Sequence, residues 1–432
     1  MLRYLLHRLL NGLLVLFGVV TVVFFIFNIK PGDPARMLAD QRSSPQALEA
    51  IRKDLGLDLP LMTRYILYLN DVSPISIMQR SDPDGLAWMD PERYRIAGSM
   101  PLPGNKRLVL KAPYLRFSYQ SRRGVTEILA AAFPNTAVLA VLSMLVAVVL
   151  GVCMGTWAAI RKGSRVDSAL LAVSALGMAG PSFFVAVLVA WLGGYVWFER
   201  IPLPVLPLLA LVLWILLRFT TGKRRHGHMS TWSHAHMSPW LHVYTWLPLS
   251  LLFIWIGGLL FHWSWATISI PLPGTGLPMS GDLVDVDPFA GPFLNWRHAI
   301  LPVIVLGIRP LAVIVQLTRG SLLEVLSQDH IRTARAMGLS ERRVVWRHGL
   351  RNAMIPVVTA VSGWFASLLA GAVFVEYVFG WKGMGLEVFN ALEREDLPVV
   401  MGAVLVFATI FVLMNLLVDL LYALLDPRVR TA

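Results

Sequence analysis

Eight long apolar runs constrain this chain more than any other feature of its sequence. Each is close to the about 20 apolar residues that a helix needs to cross a hydrocarbon core about 30 Å thick. The runs lie at about 9–29, 134–158, 168–198, 202–219, 243–263, 298–318, 352–374 and 399–424. Because no water hydrogen-bonds the backbone inside a bilayer, each run is predicted to be helical. The sequence therefore predicts an all-α membrane protein with about eight transmembrane helices.

The composition of the chain excludes the main classes of soluble protein. Of the 432 residues, 56% are hydrophobic and only 15% are charged, which is more apolar surface than a water-facing protein can bury. The net charge of +12 is typical of a membrane protein with basic cytoplasmic loops, so we expect no nucleic-acid partner. The single cysteine, Cys153, rules out an intrachain disulfide.

The positions of Lys and Arg predict the orientation of the helices. Basic residues cluster in the loops at 159–166, 220–242 and 319–351 and in the C-terminal tail. Since basic residues in short loops stay in the cytoplasm, these loops and both termini are predicted to be cytoplasmic. The first run is longer than the core of a signal peptide and is expected to remain as a helix.

Three regions follow from this topology. Residues 1–29 form the first transmembrane helix, 30–127 an external cap segment, and 128–432 the remaining spans. Within the cap segment, Ser44–Leu55 and Asp58–Leu69 are predicted to be short helices, and 71–116 is predicted to be irregular because it is rich in Pro and Gly.

The most informative stretch is the cytoplasmic loop at 319–351, which is longer than a connection between two helices needs to be. Ile331, Ala334 and 336–339 give a short helix with a small-residue face, and Gly338 is suited to ending it in a left-handed cap. A second helix is predicted to start at Ser340. Such a helix fits either the groove of a partner protein or the surface of anionic lipid headgroups.

This loop resembles the ATPase-docking loop, often called the EAA loop, of ABC importer permeases. The sequence Asp-His-Ile-Arg-Thr-Ala-Arg-Ala-Met-Gly at 329–338 is similar to the dipeptide/oligopeptide/nickel branch of that family. Further similar motifs occur in the expected order at 31–34, 55–60, 347–352, 376–379, 383–385, 415–419 and 426–430. Arg332-Thr333-Ala334 replaces the generic Glu-Ala-Ala, and Lys382 replaces a common proline.

The resemblance implies a type I ABC importer transmembrane fold with a six-helix core, here extended by a helix pair inserted at about 201–262. A second insertion lies at about 71–115. It also implies a location in the bacterial cytoplasmic membrane. The implied partners are two ATPase subunits, a second related permease and an external solute-binding protein. The residues expected to contact an ATPase are Asp329, Arg332, Thr333, Ala334, Arg335, Ala336, Gly338, Leu339 and Arg343.

The chain itself is not expected to hydrolyse ATP. It lacks a Gly-x-x-x-x-Gly-Lys-Ser/Thr loop, the phosphate-binding motif that such chemistry commonly uses. The resemblance therefore places hydrolysis in partner subunits, with peptides or similar small solutes as cargo and no cofactor in this chain.

Arg309 is the one basic residue in the middle of the sixth run. An arginine there costs about 2.5–3.5 kcal/mol on insertion scales, so it is expected to face protein or a watery cavity. Two interpretations are open. Arg309 contacts a substrate carboxylate in the translocation pathway, or it pairs with an acidic residue of another helix.

Two polar groups have a functional and a plainer interpretation. His226, His228, His234, His236 and His242 invite a metal site, but their spacing fits no defined site and favours a polar turn, so no metal is expected. Glu376, Glu393, Glu395 and Asp396 are predicted to form a solvated external rim, with docking of a binding protein as the alternative.

Two other classes of membrane protein are alternatives to the importer. An ion-coupled secondary transporter would show inverted repeats and a series of buried acidic or His residues in broken helices, and the sequence shows neither repeats nor a run of intramembrane carboxylates. A membrane-embedded metalloenzyme has only the histidine group in its favour, and that group lies outside the predicted spans.

Overall fold

The computed structural model describes residues 2–29, 45–54, 56–79, 94–103, 106–210, 239–262, 269–289 and 291–425, and these are mostly helical. Among them the helices are α1 Leu2–Ile29, α2 Pro45–Asp54, α3 Leu61–Val72, α4 Val125–Ile160, α5 Arg165–Ala179, α6 Ser182–Val189, α7 Pro239–Phe261, α8 Arg297–Leu326, α9 Asp329–Ala336, α10 Glu341–Arg343, α11 Leu350–Gly371, α12 Val373–Phe379, α13 Met384–Glu393 and α14 Leu397–Leu425. The strands are β1 Ile75–Gln79, β2 Ile96–Pro101, β3 Lys106–Lys111, β4 Arg200–Pro204, β5 Ser269–Pro273, β6 Val284–Asp287 and β7 Gly291–Leu294.

Five helices in the described part of the chain are long and apolar enough to cross a membrane. Four lie in α1, α4, α8 and α14, and the fifth, Glu341–Leu369, runs from α10 into α11; each overlaps one of the eight predicted apolar runs. A bent pair made by α5 and α6 raises the number to six if the pair is one span. The runs at 9–29, 134–158, 298–318, 352–374 and 399–424 are thus confirmed as helices.

The run at 168–198 is not the single helix that its hydropathy predicts. Helix α5 ends at Ala179, and the next helix starts at Ser182 after a bend of 106°. Gly180 has an extended backbone with ψ 136°, because the following Pro181 disfavours the helical conformation in the residue before it. The second helix continues as a π-helix over Ala190–Val196.

The described chain forms two compact units, Met1–Val189 with Ser280–Ala432, and Ala190–Met279. In the second unit, β4 pairs with β5 in antiparallel register. The two strands carry the same sequence, Ile-Pro-Leu-Pro, at 201–204 and 270–273, a short repeat that the sequence interpretation missed. Helix α7 confirms a helix over most of 243–263. The predicted helix at 202–219 is wrong at its start, because 202–204 belong to β4; residues 205–210 are helical, and 211–219 lie outside the described residues.

The segment that the sequence predicts to be an external cap contains a sheet where irregular structure is expected. Helices α2 and α3 match the two expected short helices, but 71–116 includes an antiparallel sheet of order β1-β3-β2. Asp71 joins α3 to this region: its carboxylate accepts hydrogen bonds from Tyr94 Oη at 2.7 Å and Arg116 Nε at 3.0 Å. The all-α expectation is therefore corrected to mostly helical.

Helices α4 and α8 approach closely because small residues line their contact. Gly151 and Gly155, spaced as Gly-x-x-x-Gly, face Ile314, Val315 and Thr318 of α8. A Cβ at residue 155 would lie 2.7 Å from the Val315 carbonyl oxygen, closer than van der Waals contact allows. Small residues in this pattern let the backbones of two membrane helices pack tightly.

The α4–α8 contact makes a testable prediction. Gly155→Ala is expected to lower the free energy of unfolding by about 1–3 kcal/mol, because its methyl group collides with backbone and forces the helices apart. A lowered melting temperature of the purified protein in detergent measures this effect.

The matched control is Gly320→Ala on α8, where an added methyl meets open space. It is expected to leave the melting temperature unchanged or raise it, since Ala is the better helix former. Equal melting temperatures for the two variants would contradict the close packing.

Candidate functional site

The loop after α8, which the sequence predicts to be cytoplasmic, is a folded structure. Helix α8 ends at Leu326, and α9 starts after only two residues, Ser327 and Gln328. Asp329 lies in the first turn of α9, where its negative charge is favourable beside the helix N-terminus. The membrane helix and the first loop helix are thus almost directly joined.

One face of α9 is buried against the ends of neighbouring helices. Ile331 and Ala334 are buried, and they share an apolar cluster with residues of α4, α8, α11 and the π-helix Val344–Gly349. The other buried members are Ala159, Leu322, Val325, Val344, Val345 and Ala353. Because this cluster is contributed by several helices, α9 is held firmly in one orientation.

The turn after α9 follows the sequence prediction. Gly338 has φ +76°, in the left-handed region that glycine enters without a steric penalty, and it ends α9 just beyond Met337. Ser340 is the N-cap position of α10, as the sequence predicts.

An ion pair joins the two short helices. Arg335 donates to Glu341 through Nε at 2.8 Å and Nη2 at 3.3 Å, and these hydrogen bonds raise the pKa of Arg335. Both side chains are exposed, so the pair adds little to stability but restricts the angle between α9 and α10. The sequence interpretation named Arg335 as a contact residue and missed its partner.

The predicted contact residues differ in their exposure to solvent. Seven are exposed on this loop: Asp329, Arg332, Thr333, Arg335, Ala336, Gly338 and Arg343. Ala334 is buried and Leu339 half-buried, so the small-residue face expected to meet a partner packs inward at Ala334. Met337 lies within the stretch 329–343 that is expected to contact an ATPase, and 67% of its surface is exposed at the end of α9.

Arg309 lies next to the break between α5 and α6. Its Nη2 donates to the carbonyl oxygen of Gly180 at 3.2 Å, while its buried Nε has no hydrogen-bond partner. Within the described residues no carboxylate lies within ion-pair distance of it, so the expected acidic partner is absent there. A cation at this place is favourable, because Gly180 is the C-cap residue of α5 and the C-terminal end of a helix carries partial negative charge.

Two residues of the predicted external rim are not solvated. Glu376 is fully buried and accepts hydrogen bonds from Thr136 Oγ1 at 2.7 Å, Gly385 N at 2.6 Å and Leu386 N at 3.1 Å. It thereby caps the start of α13. Asp396 is also buried and accepts from the backbone N of Tyr119 at 2.9 Å.

Glu393 and Glu395 are exposed, in agreement with the rim expected from the sequence. Of the histidine group, His226, His228, His234 and His236 lie outside the described residues. Among the residues that the structure describes, no cluster of three or more His, Cys, Asp or Glu side chains could hold a metal ion.

Comparison with known proteins identifies the class. Residues 151–431 match the family of binding-protein-dependent transport system inner membrane components, and residues 1–81 match the N-terminal region of membrane components of such systems. The chain belongs to this family. It is a membrane-spanning permease subunit of a binding-protein-dependent transport system, located in the inner membrane, and not itself an enzyme.

Several curated relatives are similar over their whole length. The di/tripeptide transport system permease protein DppB of Pseudomonas aeruginosa is 33% identical, with 100% of this chain and 99% of the relative covered. The dipeptide transport system permease protein DppB of Escherichia coli is 32% identical with the same coverage. The glutathione transport system permease protein GsiC of Escherichia coli is 29% identical, also over 100% and 99%.

The apolar cluster beneath α9, here called its seat, includes Ile331 and Ala334 of α9 and gives a second prediction. Ala334→Leu is expected to overpack the cluster beneath α9 and displace the helix, because interiors at native density do not accept added volume. Faster amide hydrogen exchange in residues 329–343 of the purified permease would show this displacement.

Ala336→Leu adds the same atoms to the exposed side of the same helix and serves as the control. Its amide exchange is expected to match that of the unchanged protein. Equal amide hydrogen exchange in the two variants would show that Ala334 is not packed in the cluster beneath α9.

Proposed function

We propose that this permease imports short peptides, forms the translocation pathway with a second related permease, and is driven by two separate ATPase subunits. The observation that carries the proposal is the exposed surface of α9 and α10, held rigidly at the cytoplasmic end of α8. The names of the relatives support the cargo, since two transport dipeptides or tripeptides and the third transports glutathione, itself a tripeptide.

The exposed part of α9 and α10 has the chemistry of a docking surface. It exposes the cations Arg332 and Arg343 together with the apolar Met337. An apolar anchor surrounded by charged residues is typical of the centre of a protein interface. Ala334 and Leu339 are assigned to support this surface from beneath, and the seven exposed residues to contact an ATPase.

Motion of a docked ATPase would be transmitted to the membrane by rigid-body movement. Helix α9 is packed on Leu322 and Val325 of α8, so a displacement of α9 displaces the end of α8 with it. The chain has no phosphate-binding loop of its own, which supports the assignment of hydrolysis to partner subunits.

The topology that we propose keeps both termini in the cytoplasm and residues 30–127 outside as a cap. It retains eight spans, with the inserted pair at about 201–262 and the docking loop at 319–351 on the cytoplasmic side. The support is the distribution of Lys and Arg in the short loops. An external binding protein would deliver the cargo to the opposite side.

We assign Arg309 to the translocation pathway, where it would meet the terminal carboxylate of a peptide. The support is its buried, unpaired Nε beside the break between α5 and α6. Broken helices commonly form the substrate sites of transporters, and ionisable residues within membrane spans are commonly functional.

Replacement of Arg309 tests this assignment. Arg309→Gln is expected to reduce uptake of an unmodified dipeptide about tenfold relative to a C-terminally amidated one, because only the former presents a carboxylate. Arg309→Lys retains the charge and is expected to keep most of the preference. Transport of both peptides by Arg309→Gln at the unchanged ratio would remove Arg309 from the pathway.

Replacement of Met337 tests the docking surface. Met337→Glu places a charge at the centre of the surface and is expected to weaken ATPase binding at least about tenfold, measured by co-purification from membranes. Met62→Glu is the matched control, since Met62 is 65% exposed on α3 of the external segment. ATPase retained at equal levels by both variants would refute docking at α9.

The rival ion-coupled transporter makes the opposite prediction about energy. Uptake in reconstituted vesicles would then follow an ion gradient and would not need ATP. An uptake that persists without ATP and stops when the gradient is dissipated would favour that rival. No feature of the described residues favours an ion-coupled transporter.

A further inference from the structure

Helix α5 is attached to the rest of its unit mainly along one side. Gly177 packs against Ile308 and Ala312 of α8, so the two helices run side by side in opposite directions. The other side of α5 exposes Val173 and Leu176, the latter by 74%. Within the described chain, the position of α5 therefore depends mostly on its contacts with α8.

A nearly buried ion pair fixes the cytoplasmic end of this contact. Arg319 of α8 donates to Asp167 of α5 through Nε at 2.6 Å and Nη2 at 2.8 Å. The Asp167 side chain is only 4% exposed and that of Arg319 23%. Such a two-point, charge-assisted contact fixes orientation as well as distance.

The same carboxylate also holds the connection between α4 and α5. Asp167 Oδ2 accepts the backbone N–H of Gly163 at 2.9 Å, and the backbone N–H of Asp167 donates to Ser164 Oγ at 3.3 Å. One aspartate thus links the loop, the first turn of α5 and α8. Its removal would leave a guanidinium with no partner in a mostly buried place.

The ion pair lies next to the seat of α9. Arg319 is one helical turn before Leu322 and two before Val325, and both residues pack against α9. At the opposite end of α5, Arg309 of α8 donates to the Gly180 carbonyl. Helix α8 therefore holds α5 at both ends, and its stronger contact is on the side of the docking surface.

We propose that Asp167 and Arg319 are positioning residues of the transport cycle, which make α5 move with α8 when the docking surface is displaced. This rests on the proposed docking of an ATPase at α9. Without the pair, α8 still follows the ATPase through its packing on α9, but α5 no longer follows α8. ATP hydrolysis then continues while transport fails.

The first experiment needs no partner protein. Spin labels are placed at exposed Ala172 on α5 and exposed Glu324 on α8, in a full-length chain whose Cys153 is replaced by Ser. The distance distribution is expected to be narrow in the otherwise unchanged protein and clearly broader in Asp167→Asn, which keeps the size of the side chain. Identical distributions would overturn the proposal.

The second experiment measures coupling in the reconstituted complex of both permeases, ATPases and binding protein. Asp167→Asn and Arg319→Gln are each expected to lower peptide uptake per ATP hydrolysed about tenfold, with hydrolysis still stimulated by the binding protein. The exchange Asp167→Arg with Arg319→Asp is expected to recover part of the ratio, which a merely local loss of stability would not explain.

Arg116→Gln is the matched control, because it removes the arginine of another ion pair, 3.0 Å from Asp71 in the external segment. It is expected to leave the ratio unchanged. If Asp167→Asn does not assemble, Arg319→Lys replaces it, since lysine keeps the charge and loses the two-point contact. An unchanged ratio in the variants that assemble overturns the proposal.

The two proposals fail in different ways. If the unchanged complex shows no dependence of uptake on ATP, the proposed ATPase-driven function is wrong, while the spin-label result still tests the link between α5 and α8. If the unchanged complex is coupled and the variants are coupled equally well, only the role of Asp167 and Arg319 is refuted.

Discussion

The proposed docking surface depends on the burial of Ile331 and Ala334 against the end of α8 and the π-helix that precedes α11. It converts the loop after α8 into a rigid extension of that helix. Without this apolar seat, exposed arginines on a short helix would present no fixed surface, since isolated helices of this length are marginal in water. With it, the surface keeps a defined orientation relative to the membrane.

Helix α8, on which α9 packs, is joined to two other helices by two different kinds of contact. Gly151 and Gly155 let α4 and α8 approach until their backbones touch, which links them by shape alone. The link from α8 to α5 is polar, through Asp167 and Arg319. Close packing resists compression and separation, whereas an ion pair fixes direction, so the two contacts make α8 the central element of its unit.

The sequence predicted the parts of the fold that follow from local rules. Apolar runs located α1, α4, α8, α11 and α14, and the small residues around Gly338 located the end of α9, because hydropathy and left-handed glycine caps act within a few residues. The family, too, was recognisable from short motifs in order along the chain.

The remaining features depend on partners far apart in the chain. The sheet β1-β3-β2 joins strands separated by residues of mixed character, and short strands in Pro- and Gly-rich sequence give little periodic signal. Glu376 looked like a surface residue because its partner Thr136 is 240 positions away. Ala334 faced inward for the same reason: which side of α9 is buried depends on residues of α4 and α11. The Gly180-Pro181 break had a local signal, but the apolar run continued across it.

Amide hydrogen exchange of residues 329–349, in the purified permease with and without its ATPase partner, measures whether α9 and α10 form a docking surface on a rigid base. Exchange over 332–343 is expected to slow when the ATPase binds, whereas exchange around the buried Val344 and Val345 is expected to be slow already in its absence. Slow exchange nowhere in this segment, or no change over 332–343 on binding, would contradict such a docking surface.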